Sequence, residues 1–203
     1  MAAVPDYLKA IKDYNIRQAL PARGKAALLV IDMQHKFSEI AEPILSNVVS
    51  LIRVCKATGV RIFFTRHGNP DPDKEGGMLR DWWGDIIERG SPGWGLLDAL
   101  EPKQFGEIID KSRYDAFFGT NLDEQLRRLN VSDIVICGVM TNCCCETTAR
   151  EAFVRDYRVF FVADATATIN VELHLASLKN LAYGFAYIVN TEDICQSLSK
   201  KKP

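Results

Sequence analysis

Residues 134–150 of this 203-residue chain read IVICGVMTNCCCETTAR, and this stretch decides the fold. A short apolar run is followed by glycine and then by a pattern typical of a helix, which predicts strand, tight turn and helix. Unpaired N–H groups and the dipole at a helix start favour a thiolate over a thiol and can stabilise a negatively charged oxygen. The cysteines of the turn are therefore candidate nucleophiles.

Apolar runs alternate with amphipathic stretches along the rest of the chain. Short apolar runs predict strands at residues 25–31, 60–65, 107–111, 132–137, 158–163 and 185–189. Apolar positions at helical spacing predict helices at residues 43–58, 121–129, 143–156, 171–183 and 191–198. Strands that alternate with helices form a parallel sheet covered on both faces. We therefore predict an α/β fold with three α/β/α layers and a six-stranded parallel sheet.

Two segments fall outside this alternation. Residues 1–24 are predicted to form a helical extension, with a helix from Tyr7 to Leu20 that packs on the sheet or on another subunit. Residues 25–203 then form a single domain, a length that allows a sizeable core. Within that domain, residues 68–95 form a long connection with many glycine, proline and tryptophan residues. We expect an ordered loop with a short helix over the functional site.

Composition narrows the classes of function. The 25 basic residues nearly balance the 26 acidic residues, so nothing indicates binding to nucleic acid or to an anionic membrane. No apolar stretch approaches the length that spans a membrane, and the first residues do not resemble a signal peptide. Six cysteines, three of them consecutive, are typical of a reduced set rather than a disulfide framework. We expect a cytoplasmic protein that acts on a small molecule.

Three polar positions are predicted to meet at one edge of the sheet. Asp32 follows the first strand, Lys111 ends the third, and the cysteines follow the fourth. Ligands of parallel sheets bind beyond the carboxyl ends of the strands, so these side chains can converge. A nucleophilic thiol needs a proton acceptor and an orienting charge, which an aspartate and a lysine supply. The alternatives are a helix cap for Asp32, a solvated Lys111 and small buried cysteines.

These positions carry a family resemblance. The motif Leu-Val-Ile-Asp-Met-Gln at 29–34, the lysine that ends a middle strand, and Gly-Val-x-Thr-Asn-x-Cys at 138–144 resemble the isochorismatase-like cysteine hydrolases. That superfamily includes nicotinamidases, N-carbamoylsarcosine amidase, ureidoacrylate amidohydrolase and isochorismatases, and the resemblance extends from about residue 25 to residue 198. In its pattern the nucleophile follows Thr-Asn by two positions, which implies Cys144 and leaves Cys143 and Cys145 as packing residues.

The resemblance also implies how the rest of the site is arranged. It implies a catalytic set of Asp32 as general acid/base, Lys111 as charge partner and Cys144 as nucleophile. It implies a cis peptide bond between Val139 and Met140, with the N–H groups of Met140 and Cys144 directed at a negatively charged oxygen. It further implies a homo-oligomer, either a dimer or a larger assembly.

A metal site is not expected in this chain. Metal-dependent nicotinamidases carry Asp-x-His with a second histidine shortly after it, whereas the corresponding stretch here is Thr65-Arg66-His67-Gly68. The other histidines, His35 and His174, are single and are expected at the surface or in packing. One histidine without carboxylates makes a poor metal site, so we predict no metal and no other cofactor.

The loop over the site supplies most of the predicted substrate contacts. Residues 76–84, GGMLRDWWG, resemble the matching stretch of isochorismatases and of plant-type nicotinamidases. Trp83 can stack on a flat ring, and Arg80 or His67 can meet a carboxylate or a carbonyl. Trp82 and Trp94 are expected to pack the loop onto the core. The predicted substrate-binding residues are Phe37, His67, Arg80, Trp83 and Tyr114.

Three functions are compatible with these residues. The leading hypothesis is a cysteine amidohydrolase that converts a small carboxamide such as nicotinamide into its acid and ammonia through a thioester. The second is isochorismatase activity, a vinyl ether hydrolysis in which Asp32 is the general acid and no nucleophile is needed. Well-known isochorismatases carry glycine at the position of Cys144, which argues against it. The third is a binding protein without catalytic activity, which the intact set of Asp32, Lys111 and Cys144 disfavours.

Overall fold

Six parallel strands form one sheet at the centre of this computed structural model, which describes residues 6–200. Residues 1–5 of the predicted extension and residues 201–203 of the predicted domain lie outside that description. The strands are β1 Ala26–Ile31, β2 Arg61–His67, β3 Glu107–Lys111, β4 Asp133–Val139, β5 Arg158–Ala167 and β6 Tyr187–Val189. Their order is β3-β2-β1-β4-β5-β6, and every neighbouring pair is parallel. The predicted α/β fold with a six-stranded parallel sheet is confirmed.

Helices cover both faces of the sheet and complete the three layers. They are α1 Tyr7–Ala10, α2 Ser38–Ala41, α3 Leu45–Thr58, α4 Pro72–Glu75, α5 Met78–Trp83, α6 Pro102–Phe105, α7 Leu122–Arg128, α8 Glu146–Val154, α9 Val171–Gly184 and α10 Thr191–Ser199. Apolar side chains of α3 and α10 belong to one buried cluster, and those of α7, α8 and α9 belong to another. Successive β1 residues alternate between the two clusters, as expected for a strand buried on both faces. Within residues 6–200 we find no helix that combines the length and the apolar character needed to cross a bilayer.

The predicted helix from Tyr7 to Leu20 is wrong, because only α1 is helical in that segment. After α1 the chain turns, buries Ile11 completely in the core and continues without helix or strand. The side chain of Asn15 donates a hydrogen bond to the carbonyl of Ile188 in β6 at 3.0 Å, which holds the segment against the sheet edge. Contacts with the protein's own sheet thus take precedence over helix formation. The boundary at residue 24 stays a prediction.

The strand order reverses next to β1, and this reversal positions the functional site. β1 pairs with β2 on one side and with β4 on the other, so a crevice opens at the carboxyl ends of β1 and β4. Asp32 directly follows β1, Lys111 is the last residue of β3, and Cys144 follows β4. β2 and β4 run further toward this edge than predicted, which brings His67 and Val139 to the site.

Candidate active site

A buried ion pair lies at the carboxyl edge of the sheet. Nζ of Lys111 is 2.7 Å from Oδ2 of Asp32, and both side chains are fully buried. The same ammonium donates hydrogen bonds to the carbonyl oxygens of Arg113 at 2.8 Å and Tyr114 at 3.1 Å. Burial by itself lowers the pKa of Lys111, but interactions with Asp32 first and with Cys144 second outweigh burial and raise that pKa above its usual value. Lys111 is therefore a fixed positive charge at neutral pH.

The two carboxylate oxygens of Asp32 have different surroundings. Oδ1 accepts a hydrogen bond from the Thr65 hydroxyl at 2.6 Å. Oδ2 contacts Lys111, and within residues 6–200 no donor reaches Oδ2 with hydrogen-bond geometry. Oδ2 is thus the oxygen that is free to accept a proton. The backbone of Asp32 has a positive φ of 44°, which is uncommon for residues other than glycine and recurs at active sites.

Cys144 lies in a five-residue π turn, Thr141–Cys145, that connects β4 to α8. Its thiol lies close enough to the Asp32 carboxylate and to the Lys111 ammonium to interact with both. Burial raises the pKa of the Cys144 thiol well above its usual value, Lys111 opposes this effect, and the Asp32 carboxylate adds to it. Burial of the thiol therefore opposes the thiolate that a helix start by itself would favour. Cys144 is a thiol next to a carboxylate that can take its proton.

The backbone on both sides of the cysteines departs from regular strand and helix geometry. The peptide bond between Val139 and Met140 is cis, as the resemblance implies. The carbonyl oxygen of Met140 accepts hydrogen bonds from the N–H groups of Cys143 at 3.1 Å and Cys145 at 3.2 Å. This π geometry delays the following α-helix, which begins at Glu146 and not at residue 143 as predicted.

Side chains from neighbouring segments hold the π turn in place. Oγ1 of Thr141 lies 2.9 Å from Nδ1 of His174 in α9, and both residues are buried. The hydroxyl of Thr168, which follows β5, donates a hydrogen bond to the side chain of Asn142 at 2.6 Å. His174 is thus a packing residue, one of the two roles expected for it, and its hydrogen bond anchors the turn that contains Cys144.

A cavity of about 360 Å³ opens beside Cys144, near the lower end of the sizes typical of small-molecule sites. Four of the five predicted substrate-binding residues line this cavity, and they are Phe37, His67, Trp83 and Tyr114. Apolar side chains that the sequence reasoning did not single out complete much of the wall, namely Leu79, Ile86, Ile87 and Ile169. The site therefore suits a small ligand with an apolar body.

Two residues of the loop are placed differently from the prediction. Arg80 does not line the cavity, because its guanidinium donates a hydrogen bond to the exposed Asp73 at 2.9 Å. Trp82 is 76% exposed and does not pack onto the core. Trp94 is only partly exposed and stacks against a guanidinium of β2. Consecutive helical side chains point in different directions, so Trp83 faces the cavity while Trp82 faces solvent.

His67 belongs both to the cavity wall and to the surroundings of the ion pair. Burial first and Lys111 second lower the pKa of His67 to about 4, with Asp32 opposing them. His67 is therefore a neutral imidazole at neutral pH. It can form a hydrogen bond with a carbonyl or an amide, but it brings no positive charge to a carboxylate.

A hydrogen-bonded group fixes the aromatic side of the cavity. Nε1 of Trp83 donates to the hydroxyl oxygen of Tyr114 at 2.6 Å, which orients the indole although half of this residue is exposed. The same hydroxyl interacts with the thiol of Cys143. Cys143 lines the cavity and is also buried, so its role as a packing residue stays a prediction. Cys145 is completely buried, as a packing residue would be.

A pair of charges at the cavity had no counterpart in the sequence-based predictions. Nζ of Lys36 lies 2.6 Å from Oδ2 of Asp85, and both residues line the cavity. Lys36 follows β1, whereas Asp85 lies in the loop after α5, so the pair connects the loop to the body of the protein. Within the described residues, the cavity wall consequently has no unpaired cation.

Comparison with known proteins finds that residues 26–193 match the isochorismatase domain. The chain belongs to the isochorismatase family. It is 46% identical over 190 residues to nicotinamidase 3 of Arabidopsis thaliana, with 92% of this chain and 96% of that protein covered. It is 31% identical over 187 residues to isochorismatase of Bacillus subtilis (strain 168), with 88% of this chain and 60% of that protein covered. A crystal structure of a cysteine hydrolase from Pseudomonas syringae pv. phaseolicola 1448A has a TM-score of 0.84 and 28% identity, with 89% and 95% covered. The resemblance drawn from the motifs is confirmed.

Two buried polar residues of this isochorismatase-family site were missed as site residues. Thr65 contacts Asp32 directly. The amide of Gln34 donates to the carbonyls of His67 at 2.9 Å and Trp94 at 2.8 Å, and its oxygen accepts the N–H of His67 at 2.8 Å. Gln34 thereby connects the ends of β1 and β2 to the loop. The sequence contained the same signal for both residues, because each is a polar residue near the end of a strand that is otherwise apolar.

The residues near the ion pair do not fit a metal ion. Within residues 6–200, no group of three or more His, Cys, Asp or Glu side chains is arranged to hold one. Thr65, at the position where metal-dependent relatives carry aspartate, uses its hydroxyl to bind Asp32. His67 lies so close to the Lys111 ammonium that this positive charge helps to lower the pKa of the imidazole. We therefore assign no catalytic step to a metal.

Proposed function

We propose that this member of the isochorismatase family is a nicotinamidase-like amidohydrolase that acts on a small, flat, neutral carboxamide. The observation that carries the proposal is the meeting of Asp32, Lys111 and Cys144 beside an apolar cavity. The 46% identity to a protein named nicotinamidase 3 supports the same class of reaction.

In the proposed mechanism, the sulfur of Cys144 attacks the carboxamide carbon while its proton moves to Oδ2 of Asp32. A carbon–sulfur bond forms, and the carbonyl oxygen becomes an oxyanion. The N–H groups of Met140 and Cys144 stabilise this oxyanion, and Lys111 stabilises the sulfur as it becomes negative. The high pKa of the Cys144 thiol is compatible with this step, because the proton leaves during the attack and not before it.

The second half of the cycle returns the site to its starting state. Asp32 gives the proton to the departing nitrogen, the carbon–nitrogen bond breaks, and ammonia leaves a thioester on Cys144. A water molecule then attacks the thioester carbon and gives one proton to Asp32. The carbon–sulfur bond breaks, the sulfur takes that proton back, and the acid is released. One amide and one water are consumed, and all three side chains are restored.

The lining of the cavity favours a neutral substrate over an anionic one. Phe37 and Trp83 offer flat apolar surfaces to a ring. His67 is neutral at neutral pH, and Lys36 is already paired with Asp85. A carboxylate would therefore lose its hydration without gaining an unpaired cation in the described wall, which is unfavourable.

Isochorismatase activity is the second candidate, because the chain is 31% identical to the Bacillus subtilis isochorismatase. In that reaction Asp32 would protonate the vinyl ether, and Cys144 would have no chemical role. Isochorismate carries two carboxylates, which need cationic partners that the described cavity wall does not supply unpaired. We therefore rank amide hydrolysis first.

The test is to assay the purified protein against nicotinamide and isochorismate side by side. We expect ammonia from nicotinamide with the wild-type protein and with Cys195→Ala, the loss of a free thiol that does not line the cavity, but not with Cys144→Ala. Amidase activity that persists in Cys144→Ala would exclude the thioester path. Pyruvate release from isochorismate that survives Cys144→Ala and is lost in Asp32→Asn would establish the second candidate instead.

We also propose that the protein is cytoplasmic and forms a homo-oligomer. The location is supported by six cysteines that are all free. The assembly rests on the family resemblance. Reaction of the purified protein with a thiol reagent would count its free cysteines, and light scattering after gel filtration would measure the assembly.

A further inference from the structure

The Thr65 side chain distinguishes the two oxygens of Asp32. Thr65 lies in β2, next to β1, and is completely buried. Its hydroxyl oxygen accepts the N–H of Asp32 at 3.1 Å and donates its own proton to Oδ1 at 2.6 Å. A hydroxyl has only one proton to donate. This reciprocal pair of hydrogen bonds therefore fixes the orientation of the hydroxyl and the carboxylate together.

We propose that Thr65 is a positioning residue for the acid/base step of the amidohydrolase reaction, and this inference rests on the proposed function. By binding Oδ1, Thr65 keeps Oδ2 directed at Lys111 and at the Cys144 thiol. Without the hydroxyl, the carboxylate can rotate about its broad terminal torsion, and both oxygens compete for the ammonium. Proton transfer then requires one orientation among several, which slows the step.

The other groups around Asp32 do not perform this role. The titratable side chains that face Asp32 from the surrounding segments are Lys111, His67, Cys144 and Cys145. Of these four, only Lys111 is charged at neutral pH, and its ammonium contacts Oδ2. Within residues 6–200, the Thr65 hydroxyl is the donor that is hydrogen-bonded to Oδ1.

Loss of the hydroxyl should act on kcat and not on KM. Thr65 is completely buried and does not line the cavity, so removing its hydroxyl takes no contact away from a bound substrate. The lost orientation of Asp32 slows the proton transfer, and this lowers kcat. A merely structural role for Thr65 would loosen the cavity as well and raise KM.

The experiment compares three variants in the nicotinamide assay over a range of substrate concentrations. Thr65→Val removes the hydroxyl and keeps the shape, whereas Thr65→Ser keeps the hydroxyl. Thr166→Val is the matched control, because Thr166 is also buried, in β5, and its hydroxyl donates to the backbone carbonyls of Val162 and Ala163. We expect Thr65→Val to lower kcat by about ten- to a hundredfold with KM unchanged. Thr65→Ser and Thr166→Val should stay close to the wild-type kcat and KM.

Several results would overturn the proposal. They are an equal loss in Thr65→Ser and Thr65→Val, a slower Thr65→Val with KM raised by a similar factor, and wild-type kinetics in Thr65→Val. If thermal melting shows that Thr65→Val does not fold, Thr65→Ala removes the hydroxyl without adding volume and faces the same criteria.

A second readout separates this proposal from the proposed function. If the wild-type protein releases no ammonia from nicotinamide, the proposed function fails, but alkylation of Cys144 by iodoacetamide still reports on the proton acceptor. Mass spectrometry should show that iodoacetamide alkylates Cys144 more slowly in Thr65→Val than in Thr65→Ser at the same pH. Identical alkylation rates in the two variants would refute the positioning role.

Discussion

Gly138 is the position at which a single added methyl group should most disturb the site. Its φ is +116°, and a Cβ built there would lie 2.1 Å from the carbonyl oxygen, 2.7 Å from the nitrogen and 2.9 Å from the carbonyl carbon of Ile31. All three atoms are backbone, so no side-chain rotation can relieve the overlap. Ile31 faces Gly138 across the β1–β4 pairing and is followed directly by Asp32. Gly138→Ala must therefore push apart the two strands that position Asp32 and Cys144, the proposed acid and nucleophile.

Two contributions set the expected size of the effect. A left-handed φ at a residue other than glycine costs about 1–3 kcal/mol, and overpacking against rigid neighbours costs about 1–3 kcal/mol more. We therefore expect the free energy of unfolding to fall by about 2–6 kcal/mol and the melting temperature by about 10 °C. Because displacement of a catalytic group by about 1 Å costs about a hundredfold in rate, we expect kcat/KM to fall by a similar factor.

Gly59→Ala provides the control for this prediction. Gly59 also has a positive φ, +73°, but a Cβ built there meets no atom within 4 Å, so only the backbone conformation is penalised. Urea unfolding followed by tryptophan fluorescence, together with the nicotinamide assay, measures both variants. If Gly138→Ala is no less stable than Gly59→Ala and keeps wild-type activity, the argument that glycine is required for close strand approach is wrong.

Three further predictions concern charges. Asp85→Asn should remove the partner of Lys36 at the cavity wall. We expect nicotinate, which is an anion, to inhibit this variant more strongly, with an inhibition constant lower by about two- to fivefold. Asp71→Asn, which breaks an exposed ion pair at the start of α4, should leave inhibition unchanged. The free energy of unfolding should decrease as pH falls from 6.5 toward about 4, because folding lowers the pKa of His67 and of His174 to about 4 and the unfolded chain binds protons first. Urea unfolding at several pH values measures how steeply the free energy of unfolding depends on pH, and His174→Gln should make this dependence less steep. Lys111→Met should destabilise the protein by about 3–5 kcal/mol in the same assay, because it leaves a buried carboxylate without its cation.

The sheet could be predicted from the sequence because its main strands are short apolar runs that a parallel sheet buries on both faces. β1 is the clearest case, since all six of its residues are buried. The N-terminal segment could not be predicted in this way. Its path depends on Ile11 entering the core and on Asn15 binding a carbonyl of β6, and both are contacts between parts of the chain that are distant in sequence.

The candidate site was predictable to the extent that it depends on strand ends. Asp32 and Lys111 meet because parallel strands end at one edge of the sheet. The placement of Arg80 was not predictable, because the direction of a helical side chain depends on where the helix begins. α5 begins at Met78, which directs Arg80 toward Asp73 and away from the cavity. The protonation of Cys144 depends on burial, which a local motif does not reveal.

The charge balance of the site explains why a buried thiol with a raised pKa can still be a nucleophile. The resting site contains one buried cation and one buried anion, Lys111 and Asp32, which offset each other. Loss of the Cys144 proton to solvent would leave a second buried anion without a partner, and such a charge is strongly unfavourable. Transfer of the same proton to Asp32 keeps the total charge unchanged, because the thiolate replaces the carboxylate as the partner of Lys111. The site thus favours proton transfer within the group of three over ionisation to water, and the position of each Asp32 oxygen controls how readily that transfer occurs.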